Sequence, residues 1–192
     1  MQRVNLETER LRLSAPTADD VDAIFAACQD PLIQRYTTVP QPYPREAAES
    51  FVRLTGEWWD AGTEANWAIR HDGEFAGMIG VFGLDPAGSG TGELGYWMAP
   101  GHRGRGILTE AARVVIDHAL SPEGLALDRL QWRAVVGNTA SGRTARALGF
   151  RYEGILRAAL VNGGGVRDDG WIAALLPADD RTPQPWPVLV NP

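Results

Sequence analysis

The arginines and glycines of residues 103–106 have the clearest chemical potential in this chain, because they stand between a predicted strand and a predicted helix. Glycine has no Cβ atom, so the backbone at Gly104 and Gly106 can take positive φ values and approach a ligand closely. Apolar residues recur at three- and four-residue spacing from Ile107, which predicts a helix that begins at the turn. The first amides of a helix lack intrahelical partners and carry the positive end of its dipole. The segment is therefore predicted to bind a pyrophosphate.

The common nucleotide-binding signatures are not met by this turn. The dinucleotide fingerprint Gly-x-Gly-x-x-Gly fails, because Thr109 stands three residues after Gly106. The chain also lacks the Gly-Lys-Ser/Thr signature of a phosphate-binding loop. Nucleotide cofactors of those two kinds are disfavoured.

A second segment with chemical potential begins at Asn138, directly after a predicted strand over residues 130–136. Asn138 occupies an N-cap position, Gly149 a C-cap position, and the residues between them have helical spacing. The pattern predicts a short helix with the hydroxyl of Ser141 in its first turn. Helix capping alone could account for Asn138.

Together the two segments resemble the GNAT superfamily of acyl-CoA N-acyltransferases, in which a turn of pattern Arg/Gln-x-x-Gly-x-Gly/Ala binds the pyrophosphate of acetyl-CoA. Residues 101–106 match this pattern except at Gly101, where the family has Arg or Gln. Residues 6–13 and 92–112, the pair Asn138 and Ser141, and residues 148–150 resemble the RimJ/RimL-type branch more closely. That branch includes acetyltransferases for ribosomal-protein N-termini. The resemblance spans residues 6–176.

The resemblance implies a mixed α/β (α+β) fold in a single GNAT-type domain over residues 1–176. A central, twisted, mostly antiparallel sheet is expected to splay at the cofactor site, with helices on both faces. Periodicity and turn residues predict strands at 10–15, 66–70, 74–84, 150–161 and 169–176, helices at 19–28 and 45–60, and an irregular segment at 30–44. Residues 177–192 are predicted to be a Pro-rich C-terminal tail without a core role.

Acetyl-CoA is the implied co-substrate, and no metal is expected, because no histidine has metal-ligand spacing with another candidate ligand. The residues expected to bind acetyl-CoA are Trp97, Met98, Ala99, Arg103, Gly104, Arg105, Gly106, Ile107, Leu108, Thr109, Asn138 and Ser141.

Acetyl transfer to an amine requires that the acceptor lose a proton and that the departing thiolate receive one. Glu93, on the strand that enters the turn, is the candidate base, although it could instead face solvent or pair with an arginine. Many GNAT enzymes place a tyrosine acid seven residues after the asparagine, but that position is Ala145 here. Ser141 is the substitute candidate, as a proton donor or only as a hydrogen-bond partner of the thiol or pantetheine arm. Residues 157–160 lack the carboxylate that ribosomal acetyltransferases have after Gly-Phe.

Aromatic residues flank the two connections that are expected to frame the acceptor groove. The candidate groove residues are Tyr36, Tyr43, Trp58, Trp59 and Trp171. Three hypotheses follow. The chain acetylates a protein or peptide N-terminal amine, or it acetylates a small-molecule amine such as a polyamine, amino acid or antibiotic, or it binds acyl-CoA without turnover.

Composition limits the other function classes. The chain has 192 residues and a net charge of −6, which argues against nucleic acid as the main partner and is compatible with a cationic acceptor. Cys28 is the single cysteine, set among apolar residues that predict a buried thiol. The sequence has no signal-peptide pattern and no stretch that predicts a membrane span, so a cytoplasmic location is expected. A homodimer fits the branch.

Overall fold

The structure, a computed structural model, describes residues 1–189. The strands are β1 (Leu6–Glu7), β2 (Leu11–Ser14), β3 (Ala65–His71), β4 (Glu74–Phe82), β5 (Thr91–Met98), β6 (Arg129–Val135), β7 (Arg151–Val161) and β8 (Arg167–Leu175). The helices are α1 (Val21–Ala27), α2 (Pro31–Tyr36), α3 (Arg45–Ala61), α4 (Ile107–Leu120) and α5 (Thr139–Ala147). The mixed α/β class predicted from the sequence is confirmed.

One sheet carries all of these strands, in the order β1-β2-β3-β4-β5-β6-β8-β7. Neighbouring strands are antiparallel except β5 and β6, which are parallel. These two strands pair only from Thr91 opposite Arg129 to Glu93 opposite Gln131. Beyond Glu93 the strands diverge, so the expected splay lies in the middle of the sheet.

Helices cover both faces of the sheet, because alternate residues of a strand point to opposite sides. Trp67 and Ile69 of β3 belong to the larger core, which includes the buried face of α4. Ala68, between them, belongs to a second core with Ile24 of α1 and Ile33 of α2. The splay therefore opens between two packed layers.

Helix α2 corrects the prediction that residues 30–44 are irregular throughout. Asp30 caps this helix, since its Oδ1 accepts hydrogen bonds from the amides of Leu32 (3.1 Å) and Ile33 (3.0 Å). Pro31 occupies the first helical position, where its missing N–H costs nothing. The cap and the proline were both visible in the sequence, but four prolines within fifteen residues favoured a loop.

The segment after β8 is also different from its prediction, because it contributes to the core. Trp186 is 1% exposed, and its indole N–H donates to the carbonyl of Phe150 at 3.1 Å. Its ring packs against Trp132 and Tyr152, with centroids 5.6 and 5.5 Å away. The expectation that the tail has no core role is wrong for this part of the chain; residues 190–192 lie outside the described residues.

Cys28 is buried at the end of α1, as expected, and burial raises the pKa of its thiol to about 11. No helix within residues 1–189 combines the length and apolarity needed to cross a bilayer. In the same part of the chain, histidine, cysteine and carboxylate side chains form no group of three that could hold a metal ion.

Candidate active site

A cleft of about 1120 Å³ runs from the turn after β5, through the splay, to the groove between α2 and α3. Its walls come from elements far apart in sequence, including β4, β5, β6, the first turn of α4 and the first turn of α5. The residues expected to bind acetyl-CoA that line it are Trp97, Met98, Arg103, Gly104, Arg105, Gly106, Ile107, Leu108, Thr109, Asn138 and Ser141.

The turn before α4 presents unpaired backbone donors to this cleft. Gly104 and Gly106 have φ values of 72° and 75°, in the left-handed region that side chains disfavour. Within residues 1–189 the amides of residues 106–109 donate no hydrogen bond, and Glu110 is the first to bond back, to the carbonyl of Gly106 at 3.1 Å. The turn thus has the donor set that an anion needs.

Arg103 does not present a free charge to the turn. Its Nε donates to the carbonyl of Met98 at 3.1 Å, and its Nη2 donates to Asp30 Oδ1 at 2.7 Å. The hydrogen bond from Arg103 to its carboxylate holds the pKa of Asp30 below its usual value. Arg103 therefore fixes the turn against β5 and α2, whereas Arg105 is exposed.

Ala99 is the one predicted cofactor residue that does not line the cleft. Its amide donates to the carbonyl of Ala76 at 2.9 Å, and its carbonyl accepts from the amide of His102 at 3.0 Å. The first bond occupies the amide N–H of Ala99, whereas its carbonyl keeps a second lone pair, so a role for Ala99 in binding acetyl-CoA stays a prediction.

Ser141 belongs to a hydrogen-bond cluster that includes a residue the sequence interpretation missed. Its Oγ lies 3.1 Å from the hydroxyl of Tyr96, and the indole N–H of Trp132 points at both oxygens, at 3.3 and 3.1 Å. Burial raises the pKa of Tyr96 to about 12. Tyr96 lies 45 residues away from Ser141 in sequence, so no local pattern indicates this contact.

Asn138 caps α5, since its Oδ1 accepts from the amide of Ser141 at 3.3 Å. Its side-chain N–H groups donate no hydrogen bond within residues 1–189 and remain available to a ligand, because Asn138 also lines the cleft. Capping and ligand contact are compatible here.

Glu93 pairs with an arginine, one of the two alternatives given for it. Its Oε2 accepts from Arg133 Nε at 2.8 Å and from Nη2 at 2.5 Å. The Glu93 side chain is 22% exposed and lines the cleft where the sheet begins to splay. The ion pair does not remove Glu93 from reach of a water molecule in the cleft.

The aromatic groove candidates fall into two groups. Tyr36, Tyr43 and Trp58 line the acceptor side of the cleft. Trp171 is 4% exposed, packs near Gly142 and lies in the core outside the lining of the cleft, so a contact with the acceptor stays a prediction. Trp59 is also a core residue, whose N–H donates to the carbonyl of Asn66 at 3.1 Å.

The floor of the acceptor side contains residues that the sequence interpretation did not single out. A Cβ atom at Gly80 or Gly95 would lie 3.1 or 2.5 Å from ring atoms of Phe82, so the ring covers both glycines. Glu64 lines the same region and accepts from Asn66 Nδ2 at 3.1 Å. Burial raises the pKa of Glu64.

The hairpin between β7 and β8 packs against α2 and Thr37, which lie on one wall of the cleft. Arg35 of α2 donates to Asp168 of β8 through both terminal nitrogens, at 2.7 and 3.0 Å. The amide of Gly163, in the hairpin turn, donates to the carbonyl of Thr37 at 3.3 Å. The acceptor groove is thus bounded by α2 and α3, and the hairpin supports the α2 wall.

A splayed sheet with an anion-binding turn on one side and a groove on the other defines an acyl-CoA-type transferase site. The family described as acetyltransferase (GNAT) domain matches residues 10–151, and the chain belongs to this family. The predicted enzyme class, N-acetyltransferase, is therefore confirmed.

Relatives agree with this assignment. The uncharacterized N-acetyltransferase YoaA of Bacillus subtilis (strain 168) is 28% identical over 176 residues, 91% of this chain and 98% of YoaA. The ribosomal-protein-serine acetyltransferase of Escherichia coli (strain K12) is 35% identical over 92 residues, 47% of this chain and 49% of that relative. A solved RimL ribosomal L7/L12 α-N-protein acetyltransferase superposes with a TM-score of 0.80 at 22% identity, over 90% of this chain and 98% of RimL. That likeness shows the fold.

Proposed function

We propose that this protein transfers the acetyl group of acetyl-CoA to the N-terminal amine of a protein or peptide. The observation that carries the proposal concerns the amide N–H groups of residues 106–109. They donate no hydrogen bond within residues 1–189, and these residues line the cleft beside the splay. The pyrophosphate binds these amides and the N-terminal end of α4, with Gly104 and Gly106 allowing close approach. Arg105 adds positive charge at the rim.

The pantetheine arm lies in the gap between β5 and β6. Those strands stop pairing at Glu93, so backbone groups of β5 near Trp97 and Met98 face the gap. Asn138 donates its free amide to the arm from the opposite side. Ile107, Leu108 and Thr109 form the wall between the arm and the pyrophosphate.

In the transfer, the neutral amine attacks the thioester carbonyl, the C–N bond forms and the C–S bond breaks. The proton of the acceptor ammonium passes through water to Glu93. The departing thiolate takes a proton from the Ser141 hydroxyl, which the hydroxyl of Tyr96 and the indole of Trp132 hold in place. Water then carries the second proton, which the nitrogen loses as the amide forms, back to Ser141. A serine hydroxyl is a weak acid, and its support by two further polar groups in a buried cluster is what favours this role.

A peptide N-terminus fits the acceptor side because the groove has room beyond the reacting amine and apolar walls, with Tyr36, Tyr43 and Trp58 among them. The names of the Escherichia coli relative and of RimL support a ribosomal-protein type of acceptor. The net charge of −6 favours approach of a cationic substrate.

An acceptor panel tests the proposal. The chain is incubated with acetyl-CoA and either short peptides with free N-termini or small amines, and release of CoA thiol is measured together with product mass. The chain contains 18 arginines and no lysine, so acetylated side-chain amines in the product come from the acceptor. We expect efficient turnover of peptides, and Ser141→Ala and Tyr96→Phe should lower that turnover more than they lower the affinity for acetyl-CoA. Turnover of small amines alone would overturn the choice of acceptor, and no turnover at all would overturn the activity.

A further inference from the structure

The acceptor side of the cleft contains a carboxylate that the proposed transfer does not use. Glu64 lies just before β3, and its hydrogen bond comes from Asn66, whose residue is 2% exposed and therefore fixed in position. Within residues 1–189 no arginine or histidine forms an ion pair with Glu64. A half-buried carboxylate without a cationic partner is costly unless something in solution pairs with it.

The strand register places Glu64 beside the reaction centre. Ala65, Val81 and Leu94 are neighbours across β3, β4 and β5, so the next residues, Glu64, Phe82 and Glu93, follow side by side. The amide of Leu84 donates to the carbonyl of Thr63 at 2.9 Å, which continues the pairing past Glu64. Strands lie about 4.8 Å apart, so the backbones of Glu64 and Glu93 are about 10 Å apart, with Phe82 between them.

The charges in this region do not balance. Arg133 neutralises Glu93, whereas Glu64 has no such partner, so this part of the cleft keeps a net negative charge. The remaining cationic side chains that line the cleft, Arg103 and Arg105, belong to the phosphate turn at its other end. The aromatic faces of Phe82 and Trp58 line the same region and also favour a cation.

We propose that the acceptor carries a second positive charge, besides the reacting amine, and that Glu64 binds it. This inference rests on the proposed function and specifies its substrate class. The reacting nitrogen must be neutral when it attacks and is served by Glu93 at the splay, whereas Glu64 is suited to a group that stays protonated. Such a group is a second ammonium or a guanidinium, separated from the reacting nitrogen by about two strand spacings.

Matched acceptors test this inference. One arm compares peptides of equal length that have arginine or citrulline at the second or third position. The other arm compares a series of linear diamines with monoamines of the same length. We expect kcat/KM to be about tenfold higher for the doubly charged member of at least one arm, the scale of a charge-assisted hydrogen bond. The arm with the preference identifies the source of the charge.

Variants then assign the preference to Glu64. Glu64→Gln keeps the shape and removes the charge, so it should abolish the preference while leaving turnover of the singly charged acceptors within about twofold. Glu74→Gln, which removes the same charge from the exposed start of β4, should keep the preference. Glu64→Asp keeps the negative charge and should therefore retain part of the preference for the doubly charged acceptor. This variant keeps the test decisive if Glu64→Gln folds poorly. Added salt should reduce the preference of the unaltered chain.

The outcomes separate the inference from the proposed function. Equal kcat/KM for matched acceptors, or a preference that survives in folded Glu64→Gln, overturns the role of Glu64 and leaves the acetyltransferase activity intact. Absence of turnover with every acceptor overturns the proposed function itself.

Discussion

Arg103 and Asp30 form a salt bridge, with 2.7 Å between Nη2 and Oδ1, that joins the phosphate turn to the N-cap of α2. The same arginine donates to the carbonyl of Met98 in β5. One side chain therefore connects the cofactor side of the cleft to the acceptor side. Loss of the pair should affect both the stability of the fold and the order of the turn.

Asp30→Asn should cost about 1 kcal/mol of unfolding free energy at pH 7, because it removes the charge but keeps a capping oxygen. Arg103 holds the folded-state pKa of Asp30 below its ordinary value of 3.8. The stabilisation is therefore complete above that value and is lost as the pH falls below it. Urea unfolding at pH 5 and pH 3 measures the unfolding free energy of both proteins. The difference in unfolding free energy between Asp30→Asn and the unaltered chain should be smaller at pH 3 than at pH 5. Asp85→Asn, on an exposed loop, is the control.

Gly106→Val should weaken acetyl-CoA binding by more than about tenfold, because the φ of 75° is strained for valine and the side chain obstructs the approach to the amides. Gly106→Ala should weaken acetyl-CoA binding less than Gly106→Val does. Isothermal titration calorimetry measures both. Gly101→Val is the matched control in the same turn, since Gly101 has an ordinary φ and open space around it. Equal affinities for Gly106→Val and Gly101→Val would contradict the assigned pyrophosphate site.

Asn138→Asp and Asn138→Ala should separate the two roles of this residue. Aspartate keeps the oxygen that caps α5 and loses the amide donor, so affinity for acetyl-CoA should fall by the value of one hydrogen bond, about 0.5–1.5 kcal/mol, with stability unchanged. Alanine should also lose about 1 kcal/mol of stability through the cap. Calorimetry and thermal unfolding give the two readouts. Unchanged affinity in both variants would leave Asn138 with capping alone.

Glu93→Gln should lower kcat by about a hundredfold or more while acetyl-CoA affinity stays nearly the same, because the variant keeps the shape and loses the basicity. Arg133→Gln is the companion variant, since it breaks the same ion pair and keeps the carboxylate. A pH–rate profile with one good acceptor compares them. If both variants show the same small loss, Glu93 serves the ion pair and the amine loses its proton to bulk water.

Trp186→Ala should destabilise the fold by about 3–5 kcal/mol, the usual cost of removing a large buried aromatic side chain. Trp186→Phe keeps much of the packing and loses the bond to the carbonyl of Phe150, so its cost should be smaller. Leu176→Ala is the control, because Leu176 is 43% exposed. Thermal unfolding is the measurement, and an unchanged midpoint in Trp186→Ala would show that the tail contributes little.

Local patterns predicted the parts of the site that local structure builds. Helix α4 begins at Ile107, as the apolar spacing indicated, and Gly104 and Gly106 have the positive φ values that a tight turn requires. Asn138 caps α5 in the predicted position. Each of these features depends on residues fewer than about five positions apart, so the sequence contains the whole signal.

The remaining parts depend on contacts between distant segments, which periodicity does not reveal. Tyr96 reaches Ser141 across 45 positions, and Trp186 reaches Phe150 across 36. Trp171 and Trp59 were assigned to the groove because they flank its connections, yet the direction of each side chain places it in the core. Which face of a strand or helix an aromatic residue occupies was the missing information.

The ring of Phe82 over Gly80 and Gly95 has an evolutionary consequence. Neither glycine has a positive φ, so each is required for space and not for backbone conformation. Gly95 and Phe82 behave as one steric unit, in which a larger residue at 95 requires a smaller one at 82, because only ring atoms of Phe82 lie close to a Cβ at position 95. A Cβ at position 80 would also meet Asn66 Oδ1 at 2.5 Å and the carbonyl of Ala65 at 3.0 Å. Homologues should therefore show correlated substitutions at positions 82 and 95, and those that replace Phe82 by a small residue should tolerate a side chain at position 95.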